Sequence, residues 1–69
     1  MREFDSEALD QTIKAQKKTN KDIAIALDST EAIVCRWRRG KVVPTLTNFL
    51  KLCDELRIDP GKLLREVKE

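Results

Sequence analysis

The chain has 69 residues, of which 38% are charged and 4% aromatic, with two Gly, two Pro and a net charge of +2. That length holds one small domain, spanning residues 1–69, whose long apolar side chains are all needed for a marginal core. So few turn-forming and aromatic residues suit a compact all-α domain better than an all-β one, which would want more of both.

Five helices are predicted. The first spans about Ser6 to Gln16, capped by Asp5 or Ser6, with Glu7 and Asp10 in the first turn, where the helix dipole favours anions. Leu9 and Ile13 give it an inner stripe with Ala8 alongside, and Lys17-Lys18 close it. Thr19 caps a second helix, about Asn20 to Leu27, with Ile23, Ala24 and Leu27 on one face. Asp28-Ser29-Thr30 make a sharp turn, because Asp tolerates the left-handed backbone such a turn requires. Thr30 caps the third helix, about Glu31 to Arg39, and Gly40 stops it. Lys41-Val42-Val43-Pro44 is extended, since Pro44 disfavours helix at Val43. Thr45 caps the fourth, about Leu46 to Arg57, with Leu46, Phe49, Leu50, Cys53 and Leu56 as its apolar stripe. Asp59 caps a fifth helix that starts at Pro60 and turns Leu63, Leu64 and Val67 inward.

The cation excess is local. Residues 1–33 carry a net −2, residues 34–41 carry +4, and residues 42–69 are neutral. The third helix and its exit therefore form a concentrated positive end. There is no His, and Cys35 and Cys53 are far apart in sequence, so neither a metal nor a cofactor is expected. The two cysteines read as reduced, buried, small apolar residues of a cytoplasmic protein. No apolar run approaches the ~20 residues of a membrane span. With no Gly-rich phosphate loop and no Cys–His pair, an enzyme is not expected, and no small-molecule ligand is implied.

These elements resemble the phage-repressor (Cro-like, xenobiotic-response-element) class of helix-turn-helix proteins over roughly residues 6–67. Asn20 stands where the class usually has Gln, and Ile23, Ala24 and Leu27 match its apolar pattern. Val34 and Trp37 match the inward positions of its recognition helix. The segment Arg36-Trp37-Arg38-Arg39-Gly40-Lys41, then Pro44-Thr45 and the stretch LCDELRIDPGKLL, complete the likeness. Three departures stand out. Asp28 replaces a Gly in the turn, Ser29 replaces an apolar residue, and Lys17-Lys18 replace a Gly and an apolar residue.

The resemblance implies a five-helix domain of the lambda-repressor type with its motif at about residues 20–39. It implies a sequence-specific, double-stranded DNA-binding transcriptional regulator of bacterial or phage origin, most simply a repressor. It also implies residue roles. Glu31, Ala32, Cys35 and Arg36 lie on the outward face of the third helix and read bases. Arg36 suits guanine O6 and N7, and Ala32 suits a thymine methyl. Glu31 suits a cytosine amine or, at the helix start, the dipole. Asn20, Lys21, Thr30, Arg38, Arg39 and Lys41 hold phosphates, Asn20 at a helix N-terminus and Lys41 beside exposed main-chain amides. Trp37 is a packing residue. The partner is a two-fold operator, bound by a weak homodimer joined through the carboxy-terminal helices. The chain reads either as a complete Cro-like or controller-type protein or as the amino-terminal part of a longer repressor. The alternative is an antitoxin-like protein-interaction module in which DNA contact is secondary.

Overall fold

A computed structural model describes residues 2–67. Four α-helices and one small sheet make up the described chain. In order they are β1 (Arg2–Phe4), α1 (Ser6–Ala15), α2 (Asn20–Ala26), α3 (Glu31–Arg39) and α4 (Leu46–Leu56), then a 3-10 turn (Pro60–Leu63) and β2 (Leu64–Glu66). No described helix is long and apolar enough to cross a membrane.

Each helix begins with the side chain its sequence supplies. Asp5, Thr19, Thr30 and Thr45 accept from the amides of Ala8, Asp22, Ile33 and Asn48. At α2 the cap is reciprocal, because Asp22 accepts from the Thr19 amide in return. That bond, followed by the one from the Thr19 hydroxyl, holds the Asp22 carboxyl below its ordinary value.

The helices also end alike. Lys17, Asp28, Gly40 and Arg57 all adopt the left-handed conformation, at φ 55°, 54°, 72° and 55°. The next amide then reaches back to the preceding turn: Lys18 to Ile13, Ser29 to Ala24, Lys41 to Arg36 and Ile58 to Cys53. The left-handed Asp28 expected from sequence is therefore present, and Lys17 does the same work where the related class has Gly. A Cβ on Gly40 would lie 2.9 Å from Ser6 Oγ, so glycine there also lets the end of α3 lie against the start of α1.

α3 packs on both α1 and α2, and α4 on α2 and the 3-10 turn. The core they enclose contains Leu9, Ile13, Ile23, Ala24, Val34 and Trp37 from the first three helices and Leu27 from the end of α2, all as expected. Trp37 is 2% exposed and is the largest buried side chain. Its burial on a nine-residue helix otherwise rich in charge is what seats α3.

The carboxy-terminal third departs from expectation. There is no fifth α-helix among the described residues. After the 3-10 turn, Leu64–Glu66 pairs antiparallel with Arg2–Phe4, Arg2 opposite Glu66 and Phe4 opposite Leu64. Asp59 occupies the cap position without a side-chain bond, and the Asp5 amide donates to the Leu63 carbonyl at 2.7 Å. The amino-terminal segment thus supplies hydrogen bonds that a helix would have supplied internally. Cross-strand ion pairs Arg65–Glu3 at 2.7 Å and Arg2–Glu66 at 3.4 Å flank the pairing. Leu63 is buried as expected, whereas Leu64 and Val67 are half-buried, outside any helix.

The stripe on α4 is also rotated from the expected one. Leu52, Cys53 and Leu56 are buried, Phe49 is half-buried, and Leu46 and Leu50 face solvent. Phe49 stacks edge-on against Phe4 of β1, centroids 6.3 Å apart, which fixes the sheet on that side of α4. A helix packed on α2 and the 3-10 turn buries the strip between its partners, and that strip includes Leu52.

Candidate nucleic-acid interface

The turn between α2 and α3 is only Leu27 to Thr30, so the two helices are held as a unit. Burial of Val34 and Trp37 then decides which side of α3 is free. Glu31, Ala32, Arg36 and Arg39 are exposed, and Cys35 is half-buried. Ala32, Cys35, Arg36 and Arg39 stand at i, i+3, i+4 and i+7, which is one continuous strip along a helix. All four residues expected to read bases therefore lie on the free side of α3. Arg39, expected among the phosphate contacts, stands on the same strip. Cys35 is a free thiol but not the fully buried one its composition suggested, and Cys53 is the buried one. Burial pushes the Cys53 thiol above its ordinary value, which keeps it protonated.

Asn20 opens α2 beside this strip. It lines a cleft of about 320 Å³ together with Asp10 of α1 and Cys35, Arg38 and Arg39 of α3. Between them runs a bonded chain. Arg38 Nε donates to Asp10 Oδ1 at 2.7 Å, and Arg38 Nη1 donates to Asn20 Oδ1 at 2.6 Å. The Arg38 side chain is 17% exposed, so its charge, expected among the phosphate contacts, is spent largely between three helices. Lys14, one turn along α1, takes the other Asp10 oxygen at 3.0 Å. The Lys14 hydrogen bond, then that of Arg38, holds the Asp10 carboxyl below its ordinary value. A depressed carboxylate adds stability that is present above its unfolded value and lost as pH falls through the lowered one.

The remaining cations divide. Lys21 and Lys41 are exposed, as is Thr30, whose hydroxyl oxygen accepts from Ile33 and leaves its proton free to donate. The amides of Gly40 and Lys41 are already used, donating to the Trp37 and Arg36 carbonyls at 3.2 and 3.0 Å. At Lys41 only the side chain is left to reach outward. Lys18 lies away from this face, donating to the Glu55 carbonyl at 2.9 Å and its carboxylate at 3.3 Å. Gln16 adds a bond to the Leu56 carbonyl at 2.7 Å, so the unusual junction after α1 ties it to the last turn of α4.

Sequence reasoning missed Asp10. It noted the residue only as an acid in the first turn of α1. Its partners are 28 residues away at Arg38 and four away at Lys14, and only the packing of α3 on α1 unites them.

Residues 8–69 match the family model of the Cro/C1-type helix-turn-helix DNA-binding domain. The fold superposes on the crystal structure of a candidate DNA-binding protein from Bacteroides fragilis with a TM-score of 0.81. That superposition covers 94% of this chain and 100% of the other at 23% identity, a likeness of fold alone. None of the curated proteins matches the chain. A family match over nearly the whole sequence, on a helix pair that leaves a polar strip beside a cationic exit, gives one conclusion: the chain belongs to the Cro/C1-type helix-turn-helix DNA-binding family.

Proposed function

We propose that the protein is a sequence-specific regulator of transcription, most simply a repressor of bacterial or phage origin acting in the cytoplasm. On this reading residues 1–69 are a single DNA-binding domain whose motif occupies about residues 20–39, with α3 in the major groove of duplex DNA. The observation that carries it is the free strip of α3, in which Ala32, Cys35, Arg36 and Arg39 stand in register beside Asn20. Arg36 is the long donor in the middle of that strip. A guanidinium fits the two acceptors of guanine, so Arg36 reads a G·C pair, with Ala32 set for a thymine methyl. Glu31 and Cys35 complete the base-facing set. Asn20, Lys21, Thr30, Arg39 and Lys41 hold the backbone on either side.

One helix covers one half-site, so the operator is two-fold and the protein binds as a weak homodimer. Val43, Leu46 and Leu50 are 68%, 73% and 46% exposed, and Leu46 and Leu50 stand one turn apart on α4. Val43 and Leu46 border a shallow groove with Pro44, Phe49, Phe4 and Leu64. A second copy seated here would cover them.

Selection of duplexes from fragmented genomic DNA by the purified protein, followed by salt titration, tests the reading. A recovered two-fold motif and a steep fall of affinity with salt are expected. Lys41→Ala then weakens all duplexes alike and lowers the salt slope by about one. Recovery of no common motif would leave a salt-independent protein-binding module as the better account.

A further inference from the structure

We infer that Arg38, anchored by Asp10, is a positioning residue that aims the side-chain amide of Asn20 at a DNA phosphate; this rests on the DNA-binding reading above. The argument begins with what each group can donate. A guanidinium has five N–H donors and no acceptor. Arg38 Nη1 lies 2.6 Å from Asn20, so the atom facing it must be the amide oxygen. A flipped amide would set its NH₂ against a cation. One of the two amide orientations is thereby excluded, and Nδ2 is turned away from Arg38. Among the described residues Nδ2 has no acceptor, so both of its protons are offered outward, in the cleft that borders Cys35 and Arg39.

The other end of the fork explains why Arg38 holds still. Nε is bonded to Asp10 at 2.7 Å, and Asp10 is itself held by Lys14 at 3.0 Å. A planar guanidinium tied at Nε has a fixed Nη1 direction, which a lysine ammonium on a flexible stem cannot reproduce. Ordering the donor before DNA arrives removes a cost that binding would otherwise carry. Charge points the same way. Arg38 is matched to a carboxylate and largely shielded, so little of its charge is left for phosphate. The Asp10 carboxylate, which would otherwise repel DNA, is neutralised.

The test is a double-mutant cycle read by equilibrium binding to a duplex selected by the wild-type protein, with circular dichroism to confirm the fold of each variant. Asn20→Ala and Arg38→Lys should each weaken binding about five- to tenfold per protomer, the size of one lost hydrogen bond. The two together should be no worse than either alone, and Arg38→Lys should leave the salt slope unchanged. Wild-type affinity in Arg38→Lys, which keeps the charge, would mean that Arg38 serves as a simple phosphate cation and would overturn the inference. Losses that multiply in the double variant would overturn it as well.

Asp10→Ala approaches from the other side by removing the acceptor altogether, since an asparagine oxygen would still accept from Arg38 Nε. It raises the net charge by one, so Coulomb attraction alone predicts tighter binding, whereas loss of the anchor predicts weaker binding. Tighter binding overturns the proposal. If the wild type binds duplex DNA steeply with salt while these variants behave otherwise, only the role of Arg38 falls. If the wild type binds no duplex, the DNA-binding reading falls with it.

Discussion

α3 and α4 are neighbours in sequence and similar in length, and both bury one strip against the same core. What they leave outside differs, although α4 also exposes Thr47, Lys51 and Asp54. α3 shows Glu31, Ala32, Arg36 and Arg39, continued by Lys41. α4 shows Leu46 and Leu50, preceded by Val43. Solvent explains the first, since charged groups lose nothing by facing water. It does not explain the second, where large apolar side chains are uncovered beside a groove. On the proposed reading the contrast assigns the two surfaces to different partners, duplex DNA on one side and a second copy of the chain on the other.

The largest expected effect tests whether α3 is seated by its core residue. Trp37→Ala should destabilise the domain by about 3–5 kcal/mol, enough to unfold a chain of this size. Leu46→Ala, an exposed counterpart on α4, should shift a denaturation midpoint little. A folded Trp37→Ala variant with lost DNA affinity would make Trp37 an interface residue and erase the distinction between the two faces.

The second prediction concerns the apolar face. Leu46→Glu with Leu50→Glu should leave the fold intact and the affinity for a single half-site nearly unchanged. It should abolish the 2:1 complex in sedimentation and cost about a hundredfold on a two-half-site duplex, the order of an effective-concentration advantage. A variant that still binds both half-sites cooperatively would place the dimer contact elsewhere.

How much of this was legible beforehand differs between the same two regions. The first three helices were legible because their signals are local. Thr19 and Thr30 cap, Asp28 takes the left-handed turn, and Val34 and Trp37 fall three apart on the inward side. The region after Pro60 was not. Leu63, Leu64 and Val67 fit a helix period, and nothing local records that Arg2–Phe4 lies alongside to make a strand the better hydrogen-bonded state. On α4 two apolar stripes compete, one through Leu46 and Leu50 and one through Leu52. Only the position of the neighbouring elements chooses between them. Arg38 has the same history: in sequence it is grouped with Arg39 and Lys41 as a phosphate cation, and Asp10 distinguishes it only after α3 docks on α1.

Arg36 and Arg38 sharpen the comparison within α3 itself. They are two residues apart, one exposed on the free strip and one tied inward. Arg36→Ala should leave stability and non-specific binding nearly intact and cost about 1–3 kcal/mol at the selected site, confined to one base pair. A base-substitution scan in which the variant still demands the same guanine would move that contact to another residue, and with it the orientation of α3 in the groove.

The smallest effect concerns the helix ends, where the two regions are alike. Three of the four left-handed stops are not glycine. A side chain in that conformation costs about 1–2 kcal/mol of backbone strain, and glycine relieves it while adding freedom to the unfolded chain. Lys17 after α1 and Arg57 after α4 are both exposed and make no side-chain hydrogen bond among the described residues. Lys17→Gly and Arg57→Gly should each raise stability by about 0.5–1 kcal/mol, read from the urea midpoint at constant slope. Arg57 also sits at the negative end of α4, so its gain should be the smaller by a few tenths of a kcal/mol. Gly40→Ala is the control in the opposite direction, since it adds both the strain and a Cβ 2.9 Å from Ser6 Oγ. Equal losses at all three positions would mean that the side chains of Lys17 and Arg57 stabilise their turns by more than the backbone strain they carry.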